Sequence, residues 1–307
     1  MFNLKVALNV VSNRFNKTIN NKGSNSEYFK DSAPIYKQMV IFAESILLES
    51  NLGKRLELIN EQLLLTDKPK YIQSLNKLKS LLLNNFVDDK RIFQKGNSKL
   101  PFLKYGTLPL VNCGGKGECS FFCYSIKSWR MYTPFVRQLI NTIIEREHFH
   151  LIEKQLTKLL TPKKNKPIVD TFRLYVDGDF SSIQLYRQWM ELISRFPLTR
   201  FYGYSKSLNF FNQMPDVVPN NYKLNISNGG IFDNMPIADK LLSMPIVRGR
   251  FDAIKAENKK VALTILRERY PNNKVFMCPG KCGSCTPIGH ACGSDRFKNV
   301  VIGILVH

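Results

Sequence analysis

The chain has 307 residues, of which 44% are hydrophobic, and this composition is typical of a folded globular protein. Lys and Arg number 45 against 24 Asp and Glu, so the formal net charge is +21 at pH 7. This charge excludes an acidic protein and favours a polyanionic partner, either a nucleic acid or a nucleotide, although A/T-rich coding sequence also enriches lysine and asparagine.

The sequence favours a protein that does not enter membranes and that works in a reducing compartment. It contains no run of about 18 apolar residues, and its first residues lack the pattern of a signal peptide. The seven cysteines are an odd number and form two tight groups, which favours metal ligation over disulfides. We therefore expect a location in the cytoplasm or in the stroma or matrix of an organelle, and the oligomeric state stays open.

The N-terminal region is predicted to span residues 1–99. An Asn-rich loop covers residues 13–30, and apolar residues at three-to-four spacing predict helices between residues 34 and 86. Residues 86–109 show little periodicity and are interpreted as a linker. This region therefore reads as a helical packing module that leads into the rest of the chain.

Residues 100–273 are predicted to form a core of alternating helices and strands. A long helix should begin at Thr133 and Pro134 and continue to Leu160. Apolar runs predict strands at residues 171–176 and 200–204, with a helix between them. This helix places Tyr186, Trp189 and Met190 on one side, either in the core or, as a less favoured alternative, stacked on a base.

The alternation continues toward the C-terminus. It comprises an apolar element at residues 208–214, a strand at residues 222–227, a turn at Gly229 and Gly230, and a helix over residues 253–269. Residues 274–307 then contain two strands, at 274–278 and 299–307, which flank a cysteine cluster. The fold class is therefore α/β, either a partial (β/α) barrel or an open parallel sheet, with an N-terminal helical region and a C-terminal cysteine cluster.

The first cysteine group lies in the segment VNCGGKGECSFFCYS and contains Cys113, Cys119 and Cys123. Three thiolates can bind three irons of a [4Fe-4S] cluster and leave the fourth iron open, or bind zinc with one open position. Alternatively, a histidine closes a zinc site, or the three cysteines are unrelated and buried. The candidate histidines for closing such a site are His148, His150 and His307.

The second cysteine group lies in the segment CPGKCGSCTPIGHAC and contains Cys278, Cys282, Cys285 and Cys292. Four thiolates at this spacing can close a metal site without other ligands, and the spacing suits zinc and iron-sulfur clusters equally. His290 could replace one thiolate, although a role as a solvent-facing loop residue is the simpler interpretation.

Two pairs of charged residues are further candidates. Asp177 and Asp179 follow a predicted strand and could reach one ligand, or could instead form a turn before a helix. Arg248 and Arg250 flank Gly249 as two residues on one strand face would, which suits phosphate contacts. A solvated surface is the alternative interpretation of the arginines.

The pattern of these motifs resembles the phage gene product 88 family over roughly residues 100–307. The shared features are a cysteine group ending in Cys123-Tyr124, the sequence Gly178-Asp179-Phe180, and a cysteine cluster shortly before the C-terminus. A more distant similarity is to radical S-adenosylmethionine (SAM) enzymes, whose three-cysteine loop follows the first strand of a partial barrel. Their usual spacing is x3 then x2, whereas this chain has x5 then x3.

The radical SAM resemblance implies roles for individual residues. Asp177, Asp179 and Lys206 would be catalytic, and the residues that would bind the cofactor are Tyr124, Gly178, Asp179 and Ser205. The three-cysteine loop would hold a catalytic [4Fe-4S] cluster with SAM, and the four-cysteine group would hold an auxiliary cluster.

Two functional hypotheses follow from the sequence. The first is an iron-sulfur enzyme from a mobile element that acts on a nucleic acid or nucleotide. The second is a non-enzymatic nucleic-acid-binding protein for replication or regulation of a mobile element, in which both cysteine groups are structural zinc or cluster sites.

Overall fold

The computed structural model describes residues 38–39, 41–121, 123–162, 164, 169–233, 236–282, 285 and 290–306. The predicted Asn-rich loop at residues 13–30 lies outside these residues. The chain forms two compact units, of which the first contains the described residues up to Ile92 together with Thr107–Asn112 and Ser120–Ile152. The second unit contains Phe93–Gly106, Cys113–Cys119 and the described residues from Glu153 onward.

The first unit is helical, as the apolar spacing predicts. Its helices are residues 41–48, α1 (Leu52–Leu64), α2 (Pro69–Leu83), a 3-10 helix (Tyr124–Arg130), α3 (Tyr132–Glu147) and the start of α4 (Phe149–Leu160). Asn51 caps α1 by accepting a hydrogen bond from Lys54 N at 3.0 Å. Pro69 begins α2, where its missing N–H is not needed.

The predicted long helix is instead two helices with a break at His148. The first, α3, begins at Tyr132 rather than Thr133, and no side chain caps it. His148 leaves the helical conformation, with φ −137° and ψ 40°, and its ring packs on Phe86 at 5.3 Å between centroids. The chain resumes as α4 and ends at Leu160, as predicted.

The second unit contains a seven-stranded sheet. Its strands are β1 (Leu103–Lys104), β2 (Thr171–Leu174), β3 (Arg200–Ser205), β4 (Tyr222–Ser227), β5 (Val247–Lys255), β6 (Val275–Met277) and β7 (Val301–Val306). Their order is β1-β2-β3-β4-β5-β7-β6, and every neighbouring pair is parallel. This confirms the α/β class in its open-sheet form.

Helices connect these strands. They are α5 (Ile183–Ser194), α6 (Leu208–Gln213), α7 (Pro236–Leu242) and α8 (Lys259–Arg269), with short 3-10 turns at Pro215–Val217 and Asp295–Phe297. Tyr186, Trp189 and Met190 on α5 are fully buried, so their core interpretation is confirmed. Because all strands are parallel, their carboxyl ends share one edge of the sheet.

Two predicted boundaries in this unit were wrong. The strand predicted to reach Val176 ends at Leu174, because Tyr175 adopts a positive φ of 52°. The helix predicted from Ala253 begins at Lys259, because Asn258 caps it and residues 253–255 still pair with β7. None of the helices in the described parts of the chain is long and apolar enough to cross a membrane.

Candidate metal centres

The loop Cys113–Cys119 lies across the carboxyl ends of three strands in the second unit. Gly114 N donates to Phe180 O, beyond β2, at 3.2 Å. Cys119 N donates to Gly229 O, beyond β4, at 2.9 Å. In open parallel α/β sheets this edge is where ligands bind. The sequence therefore brings two thiols of the first cysteine group to the edge of the sheet at which chemistry is expected.

Glycines allow this loop to approach the neighbouring backbone very closely. Gly115 N donates to Ser207 Oγ at 3.2 Å, and a Cβ atom on Gly115 would lie only 1.7 Å from Lys206 O. Gly229 has φ +90°, and its Cβ would lie 2.9 Å from the Cβ of Cys119. Any larger residue at these positions would push the loop away from the ends of β3 and β4.

The carboxylate of Asp179 ties the ends of β2 and β3 together. It accepts hydrogen bonds from Phe180 N at 2.8 Å, Ser205 Oγ at 2.9 Å, Lys206 N at 2.7 Å and Ser207 N at 3.2 Å. Burial raises the pKa of Asp179, whereas the backbone N–H groups of Lys206 and Phe180 act in the opposite direction. Four donors therefore bind the two oxygens of the Asp179 carboxylate. In this structure Asp179 acts as a clamp that positions Ser205 and Lys206, two of the residues predicted to belong to the site.

Lys206 interacts with a serine and a cysteine at the same edge. Its Nζ donates to Ser227 Oγ, and the nearby Asp233 accepts from Gly230 N at 2.9 Å. Burial raises the pKa of the Cys119 thiol, and the positive charge of Lys206 lowers it. Lys206 can therefore compensate part of the charge of a thiolate at Cys119.

Asp177 and Gly178 form the turn that precedes the Asp179 clamp. Asp177 is half-buried and its charge acts on Lys104, while Gly178 has φ +80°. Because β2 has already ended at Leu174, Asp177 and Asp179 do not share a strand face. Whether Asp177, Asp179 and Lys206 act in catalysis stays a prediction.

Cys123 and Tyr124 belong to the first unit. Cys123 is half-buried and directly precedes the 3-10 helix Tyr124–Arg130. The rings of His148 and His150 are neighbours, with centroids 6.2 Å apart. His307 lies outside the described residues.

The second cysteine group lies in the connection between β6 and β7. Cys278 directly follows β6, and its N–H donates to Gly303 O at 2.7 Å. Two backbone N–H groups point at sulfur atoms: Gly280 N lies 3.4 Å from Cys278 Sγ, and Ala291 N lies 3.4 Å from Cys285 Sγ. Such N–H donors stabilise thiolates, so they fit a thiolate-metal site.

The four thiols also act on one another electrostatically. Burial raises the pKa of Cys282, and the neighbouring Cys278 and Cys285 add to this rise. Burial raises the pKa of Cys292 to about 11, against the opposing effects of Arg248 and of a hydrogen bond with Tyr204. None of the seven cysteines forms a disulfide, and in the described part of the chain no group of three or more His, Cys, Asp or Glu side chains is placed so that it could hold a metal ion.

Arg248 is buried in the core of this unit. Only 1% of its surface is exposed, and its Nε donates to Oδ1 of Asn225. Asn225 in turn donates from Nδ2 to Cys292 O at 2.9 Å. Arg250 forms an ion pair with Asp239 at 3.1 Å. The interpretation of these arginines as a solvated surface pair was therefore wrong, because the fold uses Arg248 to hold loop carbonyls against the sheet.

His290 is not a solvent-facing loop residue. Its ring packs on Tyr202 at 4.3 Å and Phe102 at 4.8 Å between centroids. Both ring nitrogens are buried without a hydrogen-bond partner among the described residues. Burial lowers the pKa of His290 to about 4, and three nearby arginines contribute to the shift. A neutral imidazole can bind a metal ion, so His290 remains an alternative ligand for the second cysteine group.

Sequence reasoning did not single out Asn225, Ser207 or Asp233. Asn225 had no signal, because YKLNIS alternates apolar and polar residues and Asn225 occupies one of its polar positions. Ser207 and Asp233 had none, because their roles depend on the backbone of other segments.

These features place the chain among the parallel α/β proteins that carry cysteine-containing loops near the carboxyl ends of their strands. The model of the gene product 88 family matches residues 87–297, which includes all seven cysteines, and the chain therefore belongs to this phage protein family. Comparison with curated proteins and with solved structures gave no match.

Proposed function

We propose that this chain is an iron-sulfur protein of the radical SAM type, in which Cys113, Cys119 and Cys123 ligate a [4Fe-4S] cluster. The observation that carries the proposal is the position of the Cys113–Cys119 loop. It follows β1 and lies over the carboxyl ends of β2, β3 and β4. A cysteine loop after the first strand of a parallel sheet is the arrangement on which the resemblance to these enzymes is based.

The residues of the chain fit such a cluster in two ways. The close approach of Gly115 to Lys206 O holds the loop in place, and the charge of Lys206 compensates a thiolate at Cys119. When bound, the cluster supplies an electron and an open iron position for SAM. The protein supplies a rigid edge of the sheet beside that position.

The proposed roles of the predicted polar residues differ. Asp179 acts by positioning, because its carboxylate already accepts four hydrogen bonds from the ends of β2 and β3. Asp177 precedes this clamp in the chain and Ser205 belongs to it, and both are proposed to contact SAM, with Gly178 allowing the turn. Tyr124, which follows Cys123, is proposed to contact SAM as well.

The second site is proposed to be an auxiliary cluster held by Cys278, Cys282, Cys285 and Cys292. The support is the pair of N–H groups aimed at sulfur and the mutual influence of the four thiols. The substrate is proposed to be a nucleic acid or nucleotide of a mobile element, because the net charge of +21 attracts polyanions.

A reductant-dependent assay on anaerobically purified protein tests the proposal. We expect cleavage of SAM to 5′-deoxyadenosine by the wild type and its loss in Cys119→Ser. The control is Lys116→Ala, which changes a half-buried residue of the same loop that ligates nothing in the proposal and should keep the activity. Full activity in Cys119→Ser would contradict the proposal.

The non-enzymatic alternative is favoured by the same net charge. It predicts nucleic-acid binding that weakens steeply with salt, together with no SAM cleavage under any reducing condition. Fluorescence anisotropy with labelled DNA and RNA, recorded at several salt concentrations, would measure it.

A further inference from the structure

The guanidinium of Arg248 is a buried cation whose hydrogen-bond partners are all neutral. Its Nη1 donates to Val300 O at 2.7 Å and to Phe297 O at 3.2 Å, and its Nη2 donates to Arg250 O at 2.9 Å. Its Nε donates to the amide of Asn225. Burial of a charge is costly unless an opposite charge lies nearby. No ion pair of Arg248 with a carboxylate occurs among the residues that the structure describes.

The second cysteine group can supply negative charge to Arg248. Asn225 bridges Arg248 to the backbone of Cys292, and the Arg248 guanidinium interacts electrostatically with the Cys292 side chain. Cys292 is itself only 6% exposed. A metal-bound sulfur of Cys292 would therefore place negative charge beside a buried cation that has no carboxylate partner among the described residues.

Two further buried groups on this side of the sheet lack a hydrogen-bond partner among the described residues. The Tyr202 hydroxyl and both nitrogens of His290 make no hydrogen bond within the described part of the chain. The thiols of Cys282, Cys285 and Cys292 influence Tyr202 electrostatically. Buried polar groups are almost always satisfied in native proteins, so these groups require a partner that the described residues do not supply in this structure.

We propose that Arg248 is the counter-cation of an anionic thiolate-metal centre held by Cys278, Cys282, Cys285 and Cys292. Four thiolates outweigh the charge of a divalent ion or of an oxidised [4Fe-4S] core, so the centre is negative. In this proposal the sulfur atoms of the centre also accept hydrogen bonds from the Tyr202 hydroxyl and from the single N–H of the neutral His290 ring. This inference rests on metal binding by the second group only, and not on the chemistry proposed for the first group.

Cobalt titration of the full chain tests this role. In a Cys113→Ser/Cys119→Ser/Cys123→Ser background only the second site remains, and thiolate-to-Co²⁺ charge-transfer bands report its occupancy. Arg248→Gln should weaken Co²⁺ binding about tenfold or more, as the loss of groups around metal ligands commonly does. Arg248→Lys, which keeps the charge, should stay within about threefold of the parent.

The control is Arg250→Gln, which removes a guanidinium two residues away that pairs with Asp239 and should leave the affinity unchanged. If Arg248→Gln does not fold, the Co²⁺ affinity of Arg248→Lys decides between the two roles. Lysine keeps the positive charge, but its amine cannot replace the set of hydrogen bonds of a purely structural guanidinium. Equal affinity of Arg248→Gln and the parent, or a tenfold loss in folded Arg248→Lys, would overturn the proposal. Failure of the parent to bind Co²⁺ would overturn it too by removing the second site itself, and SAM cleavage by the wild type would still test the first site separately.

Discussion

At the scale of single residues, Asp179 organises more of the predicted site than any other described side chain. It is 3% exposed and accepts hydrogen bonds from Phe180, Ser205, Lys206 and Ser207. Asp177, only two residues earlier, is half-buried and lies in a turn. The sequence DGDF therefore combines a turn with a clamp, and the two aspartates should behave differently.

Replacing Asp179 by Ala should lower the free energy of unfolding by about 2–4 kcal/mol, because several buried donors lose a charged acceptor. Asp177→Ala is the matched control and should cost about 1 kcal/mol or less. Urea denaturation followed by circular dichroism measures both changes. Equal losses in the two variants would show that the clamp is not important for stability.

Gly115 is the residue whose size is most restricted in the first cysteine loop. A Cβ would lie 1.7 Å from the carbonyl oxygen of Lys206, and a backbone atom cannot rotate away. Gly115→Ala should lower the free energy of unfolding by about 1–3 kcal/mol, as overpacking does, and should reduce iron bound by the first group.

Gly53→Ala serves as its control, since the nearest atom to a Cβ there is a side-chain oxygen of Asn51 at 3.2 Å. In a helix this change should be neutral or slightly stabilising. Iron analysis and denaturation of both variants measure the difference. Unchanged iron content in Gly115→Ala would contradict a close-packed ligand loop.

At the scale of elements, the first unit is tied together by a buried ion pair. Arg137 on α3 donates to both carboxylate oxygens of Asp89, beyond α2, at 3.0 and 2.6 Å. The side chain of Asp89 is 1% exposed and that of Arg137 is 14% exposed. Removal of one partner leaves the other charge buried and unpaired.

Asp89→Ala should therefore cost about 3–5 kcal/mol. The comparison is Glu191→Ala, which breaks an exposed i,i+4 pair with Arg187 and should cost about 0.5 kcal/mol or less. Thermal and chemical unfolding of both variants measure the contrast. A small effect of Asp89→Ala would mean that the pair is hydrated rather than buried.

The elements that the sequence predicted well are those with strong apolar patterns. Strands β3, β4, β6 and β7 and helices α2 and α5 agree with prediction because burial dictates their periodicity, and β2 agrees except at its end. Strand β5 was harder to recognise, since its sequence VRGRFDAIK contains charged residues. Arg248 can be buried there only because carbonyl oxygens of Phe297 and Val300, far along the chain, accept its hydrogen bonds. The break at His148 likewise depends on its contact with Phe86.

At the scale of the whole molecule, the sequence identified the cysteines and named Lys206 and Arg248 as candidates, but it did not predict the contacts that these side chains make. Spacing alone indicated two metal sites, and the family match over residues 87–297 includes both groups. The supporting Lys206, Asn225 and Arg248 are brought in by parallel strands that are distant in sequence. Such contacts leave no local pattern, which is why the site was only partly predictable.

The most direct test of two thiolate clusters is the iron and labile sulfide content of anaerobically reconstituted chains. The wild type should hold about eight irons and eight sulfides per chain, as two [4Fe-4S] clusters require. Replacing either cysteine group by serine should reduce both numbers to about four and leave the other cluster intact. Colourless wild-type protein that binds zinc in place of iron would contradict the account.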